Sequence, residues 1–209
     1  MEFPRLQHPF TMVLAGPTKS GKTYFLKNLI NFKAEMFLPV PDRIVYFYGI
    51  YQPLYDEMNS VDFVEGFPKN FKEFLGINTL FILDDLMVEC ANDKQLTNLF
   101  TKASHHLNLS IIFITQNFFH KGKEMRDVTL NAHYLVLFKN RRDLSQVTHL
   151  GRQLYPRHLK FFQEVYEDAT KEAYSYLLVD LKSECPEEFR LRTRILPNET
   201  QYVYQLKYK

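Results

Sequence analysis

Met12-Val13-Leu14-Ala15-Gly16-Pro17-Thr18-Lys19-Ser20-Gly21-Lys22-Thr23 is the stretch whose reading decides the fold. It spells a buried strand that runs into G-x-x-x-x-G-K-T and then into a helix beginning near Lys22. Gly16 and Gly21 let the backbone turn sharply and bring its N–H groups against phosphate oxygens with no Cβ in the way. The helix that follows adds the positive end of its dipole to the same anion. In this reading Pro17, Thr18, Lys19 and Ser20 complete the phosphate loop. Lys22 sets an ammonium on the β- and γ-phosphates, and Thr23 offers its hydroxyl to Mg²⁺. The flanks agree with it: an apolar strand, Phe10 to Ala15, precedes the loop, and the amphipathic run Tyr24, Phe25, Leu26, Leu29, Ile30 follows it. The expected ligand is ATP with Mg²⁺.

Thr79-Leu-Phe-Ile-Leu-Asp84-Asp85 is the second informative run. Apolar residues ending in two acids describe a buried parallel strand that delivers carboxylates at its C-terminal edge, where ligands sit in open α/β sheets. The pair fits a Walker B pattern, with Asp84 holding Mg²⁺ directly or through water and Asp85 polarising the attacking water. Ser110-Ile-Ile-Phe-Ile-Thr115-Gln116-Asn117 is another buried strand with a polar end, and the Gln116 amide there can sense the γ-phosphate or orient water.

The rest of the chain fills in an α/β pattern. Arg43 to Tyr48 and His133 to Phe138 read as central strands, and Val61 to Glu65 as a short edge strand. Met1 to Pro9 is too polar for a strand, while Pro68 is placed to open a helix from Lys69 to Leu75. Further helices are expected over Asn92 to His106, from Arg142 or Asp143 to before Pro156, and from His158 to Ala169. Tyr174 to Asp180 and Phe189 to Ile195 look like closing strands, the second alternating Arg190, Arg192 and Arg194 with Leu191, Thr193 and Ile195, which reads equally as a basic stripe or as an edge strand protected from aggregation. Between Phe118 and Arg126, Lys121, Lys123 and Arg126 interleave with aromatics around Gly122, a composition suited to a nucleic-acid backbone or to a solvated basic loop.

Bulk composition sets the limits. With 209 residues the chain suits one P-loop domain over 1–209, with a nucleotide-binding core at 10–140 and helices and closing strands at 141–209. Apolar residues make up 45% and the net charge is only +2, so a wholesale basic coat is excluded and any nucleic-acid contact must be a local patch. The two cysteines, Cys90 and Cys185, lack metal-ligand spacing and suit a reducing compartment. No run is long and apolar enough for a membrane span, so the expectation is a soluble, intracellular protein.

Five runs together carry a family resemblance: Gly16 to Thr23, Leu80 to Asp85, Ile112 to Asn117, Leu130 to Asp143, and the tail from Asp168 through Tyr176–Asp180 to Thr193. Their order and wording resemble the genome-packaging ATPases of polinton and adintovirus elements, virophages and large eukaryotic DNA viruses, within the FtsK–HerA superfamily of P-loop motors. The resemblance implies an ATP-hydrolysing motor that assembles as a ring and threads double-stranded DNA into a preformed capsid at its portal vertex, in the host nucleus or cytoplasm. It implies the additional-strand class of P-loop fold, a mainly parallel sheet flanked by helices, with Ser110 to Thr115 lying between the P-loop strand and the Walker B strand. Members usually carry a proline where Arg141 stands here. An arginine finger is expected from outside the P-loop, and Arg126 and Arg142, near the two ends of the strand after Gln116, are the candidates. Two other readings remain open: a helicase or pumping ATPase of the same superfamily, and a P-loop kinase of a small molecule.

Overall fold

The structure, a computed structural model, describes residues 4–68, 70–84, 86, 99, 107–116, 128 and 130–206. Its strands in chain order are β1 (Leu6–Gln7), β2 (Thr11–Ala15), β3 (Phe37–Leu38), β4 (Arg43–Tyr48), β5 (Asp62–Glu65), β6 (Thr79–Asp84), β7 (Leu109–Thr115), β8 (Tyr134–Phe138), β9 (Tyr176–Asp180), β10 (Leu191–Thr193) and β11 (Tyr202–Val203). The described α-helices are α1 (Lys22–Asn31), α2 (Lys33–Met36), α3 (Ser145–Leu154) and α4 (Leu159–Ala169).

Nine of these strands form one sheet in the order β11-β10-β9-β8-β2-β7-β6-β4-β5. From β8 to β5 every pairing is parallel, and β9, β10 and β11 are added antiparallel at the other side. The additional strand is where the family resemblance implies it: β7 pairs on one side with the P-loop strand β2 and on the other with β6. Leu-Ser-Ile-Ile-Phe-Ile-Thr in β7 is buried at every position, as a strand covered on both faces must be.

Alternation along the strands sorts their side chains into two cores. Met12, Leu14, Ile44, Tyr46, Leu80, Ile82, Ile112 and Ile114 pack with Phe25, Leu26, Leu29 and Ile30 of α1. Val13, Val45, Phe47, Phe81, Leu83, Ile111 and Phe113 pack instead with Val147 and Leu150 of α3 and Phe162, Val165 and Tyr166 of α4. The sheet is therefore the middle layer, and its C-terminal edge is where a ligand can approach in a fold of this kind.

Several local expectations change. Leu6 and Gln7 do form a short strand, pairing with Phe37 and Leu38 in a separate two-stranded ribbon, because Leu6 has an apolar slot to fill. After Pro68 the described residues hold one 3₁₀ turn, Phe71–Phe74, rather than an α-helix; its phenylalanines lie against Phe81 and Phe47, and that packing needs no further turn. Helix α3 starts at Ser145, later than expected, because the Asp143 carboxylate accepts the Ser145 N–H (3.1 Å) and the Gln146 amide (2.6 Å). The arginines at 190, 192 and 194 form no basic stripe. Arg190 pairs with Glu187, Arg194 with Glu172, and Arg192 is 1% exposed, bonded to Asp180 (3.1 Å) and the Pro4 carbonyl (2.8 Å). β10 is not an edge either, since β11 covers it. Apart from Leu99, the helix expected over Asn92–His106 lies outside the described residues, as does the basic loop Phe118–Arg126.

Candidate nucleotide site

Strand β2 ends at Ala15, and Gly16 N–H still bonds to Thr115 O (3.2 Å), so the loop leaves the sheet beside β7. A Cβ on Gly16 would sit 2.6 Å from Phe138 Cβ, a clash that only glycine avoids. Lys19 adopts φ 63° and Gly21 φ 103°, and these left-handed residues curl the loop into the helix. Helix α1 begins at Lys22 with no side-chain cap and no acid in its first turn. An ammonium at that position opposes the helix dipole, and a bound anion relieves the conflict while taking up the first-turn N–H groups. Lys22 Nζ donates to the carbonyls of Gly16 (2.6 Å) and Pro17 (2.8 Å), arching back over the loop. The Ser20 hydroxyl is buried with no hydrogen-bond partner among the described residues.

These residues line an open cleft of about 530 Å³, whose walls also include Asp84, Gln116, Gln52, Tyr24 and Tyr174. The sheet dictates this company. Ile114 of β7 is in register with Asp84 and Thr115 with Ala15, which sets Gln116, one residue on, between the P-loop and the acid. Glycine-lined amides, a lysine, Thr23 and an aspartate fit a Mg²⁺–triphosphate, which leaves only one or two metal positions to protein oxygens.

Asp84 is held in a way the sequence did not announce. It is 6% exposed, and its Oδ2 accepts hydrogen bonds from Tyr46 (2.7 Å) and Tyr55 (3.1 Å). The signal was present as period-two alternation: Tyr46 lies on the same sheet face as Ile82 and Asp84, but it becomes a partner only once β4 is known to pair with β6. Burial first, and then the neighbouring Asp84, raises the Tyr46 hydroxyl well above the usual tyrosine range, so it stays a donor.

The structure thus gathers Thr18, Lys19, Ser20, Gly21, Lys22, Thr23, Asp84 and Gln116 at one cleft, with Gly16 and Pro17 in the same loop. Asp85 and Arg126 lie outside the described residues. Arg142 is exposed and does not line the cleft; its backbone N–H bonds to Asn140, and no side-chain ion pair to it occurs among the described residues. Asp143, its sequence neighbour, is committed to the start of α3 instead.

No protein-family model and no curated protein matches this sequence. Solved structures do match. DNA-packaging ATPase B204 of Sulfolobus turreted icosahedral virus superposes with TM-score 0.58 at 13% identity, over 95% of this chain and 98% of that one. The chain shares its fold with B204. The genome-packaging NTPase B204 of Sulfolobus turreted icosahedral virus 2, in complex with ATP-gammaS, gives TM-score 0.56 at 15% identity over 95% and 98% of the two chains. The conjugation coupling protein TcpA of pCW3, with ATPgS, gives 0.50 at 12% identity over 84% of this chain and 58% of that one. The architecture is therefore the α/β P-loop NTPase fold with its additional strand.

Proposed function

We propose that this chain is an ATP-hydrolysing motor that moves double-stranded DNA, and that its task is packaging a viral genome into a preformed capsid. The observation that carries the reading is the joint placement of the P-loop, Asp84 and Gln116 around the inserted strand β7, in a chain that matches B204 over nearly the full length of both. That B204 is described as a DNA-packaging ATPase, and the B204 of Sulfolobus turreted icosahedral virus 2 has been seen with ATP-gammaS.

In this reading the loop amides and Lys22 bind and orient the triphosphate, while Thr23 and Asp84 hold Mg²⁺, which neutralises charge on the phosphate oxygens. Tyr46 and Tyr55 fix the Asp84 carboxylate. Asp85 and Gln116 orient the attacking water, and Asp85 takes its proton. Arg126 or Arg142 stabilises the charge of the transition state from a neighbouring subunit, which makes the ring a condition of activity. The exposed position of Arg142, outside its own cleft, supports a role in trans.

The test is ATP turnover with and without duplex DNA. Stimulation by duplex DNA, lost in Lys22→Ala, is the expected result. Turnover indifferent to DNA but dependent on a small phosphate acceptor would replace the motor with a kinase.

A further inference from the structure

We propose that Tyr174 is the platform on which the nucleobase of the bound nucleotide stacks; the inference rests on the P-loop reading and extends it from the phosphates to the base. Tyr174 is 67% exposed, and it lines the same cleft as the phosphate loop. Among the described residues its ring packs against no other ring and its hydroxyl meets no partner. Its backbone sits at φ 65°, a conformation uncommon for a bulky side chain. Strain of that kind persists where the surroundings hold it in place, and it gathers at ligand sites.

The surroundings do hold it. Thr170 is buried and its hydroxyl donates to Tyr166 O (2.7 Å), while the Ser175 hydroxyl donates to Glu172 O (2.8 Å). The Glu172 carboxylate is tied to Arg194 (2.8 Å) beyond β10. Tyr176 begins β9 and is buried against Phe25 and Phe138. Because β9 runs antiparallel to β8, with Tyr176 opposite Phe138, the turn before it stands at the C-terminal edge of the sheet beside the P-loop. A Cβ on Gly21 would fall 3.0 Å from Tyr174 Cβ and 3.1 Å from its Cδ1, so the ring starts directly over the loop. A rigid aromatic held that way meets a base with little entropy left to lose. Tyr24, the other exposed aromatic of the cleft, is less suited, since the Lys27 ammonium stands over its ring at 5.7 Å.

Base–aromatic stacking is sequence-tolerant, and its loss typically weakens binding by about tenfold or more. The experiment titrates ATP and inorganic tripolyphosphate, which has the charge but no base, into wild type, Tyr174→Ala, Tyr174→Phe and Lys22→Ala. Tyr174→Ala should bind ATP about tenfold more weakly and tripolyphosphate as wild type does, with Tyr174→Phe behaving as wild type towards both. Unchanged ATP affinity in Tyr174→Ala, or equal weakening for both ligands, overturns the stacking role. Wild-type binding of both ligands by Lys22→Ala would instead sink the P-loop reading, so the two failures are told apart.

Discussion

Replacing Tyr46 by phenylalanine removes one oxygen from the interior and tests whether Asp84 is held for a purpose. The ring stays, with its contacts to Tyr55 at 4.8 Å and Phe63 at 5.4 Å, so packing is preserved. What goes is the 2.7 Å hydrogen bond to Asp84 Oδ2, leaving Tyr55 at 3.1 Å as the remaining tyrosine donor to that oxygen. A hydrogen bond to a charged group contributes about 1.5–3 kcal/mol, and the surviving donor puts the loss near the lower end. For a chain of this size about 1.5 kcal/mol lowers Tm by roughly 3–6 °C. The larger effect is on the metal. Partners that orient a metal-binding carboxylate typically matter by about 10–100-fold in affinity or activity. The assay is ATPγS binding with Mg²⁺ and with EDTA. In Tyr46→Phe the Mg²⁺-dependent gain in affinity should shrink by about tenfold, while metal-free binding, which rests on Lys22 and the loop amides, stays at the wild-type value. A variant with wild-type Tm and an undiminished Mg²⁺ effect would refute the reasoning and leave Asp84 without a metal role that depends on its clamp.

Arg192→Met strands the buried Asp180 carboxylate, whose ordinary pKa burial already raises, and should cost about 3–5 kcal/mol in a denaturant melt; adding Asp180→Leu should recover much of that loss. The salt dependence of DNA binding should be untouched in a folded Arg192 variant, whereas neutralising Lys121 and Lys123 should reduce its slope by about 0.9 for each DNA phosphate that goes without a cation. Mixing Arg142→Ala or Arg126→Ala subunits with Lys22→Ala subunits should restore turnover where an intact loop meets an intact arginine; no recovery with either arginine excludes both as fingers in trans. Stability should begin to fall near pH 9 and fall more steeply above pH 10: burial raises the Cys185 thiol to about 12 and also raises Tyr46, Tyr134 and Tyr176, so the folded chain keeps protons that the unfolded chain releases there. A melt series from pH 8 to 11 checks this, and the slope above pH 10 should be shallower in Tyr46→Phe.

What the sequence made legible follows from where the physics is local. Gly16-to-Thr23 is read residue by residue because each position answers to the turn, the helix start or the anion, all within a few bonds. β7 shows as a strand because a segment covered on both faces is apolar throughout, but only the family resemblance put it between β2 and β6, since a pattern along one strand carries no information about its neighbours. The same limit hid the rest. Arg192 looked like one of three surface arginines because alternation marks a face without saying what that face meets; β9 brings Asp180 to it and β11 covers the edge. Tyr174 reads in sequence as the start of a closing strand, but β9 begins at Tyr176; Tyr174 lies in the turn before it, and its left-handed backbone is imposed by ties at Thr170, Glu172 and Ser175 rather than by its own preference. Tyr46 and Tyr55 are the most instructive pair. They lie 38 and 29 residues from Asp84, in a strand and in a 3₁₀ turn that sequence reading treats as scaffold, yet they set the geometry of the acid. A carboxylate at the end of a buried strand has lost most of its water, and the fold must return hydrogen bonds to keep it in place. The P-loop motif is therefore written in one stretch, while the side chains that hold Asp84 beside it are written wherever the sheet order happens to bring a donor.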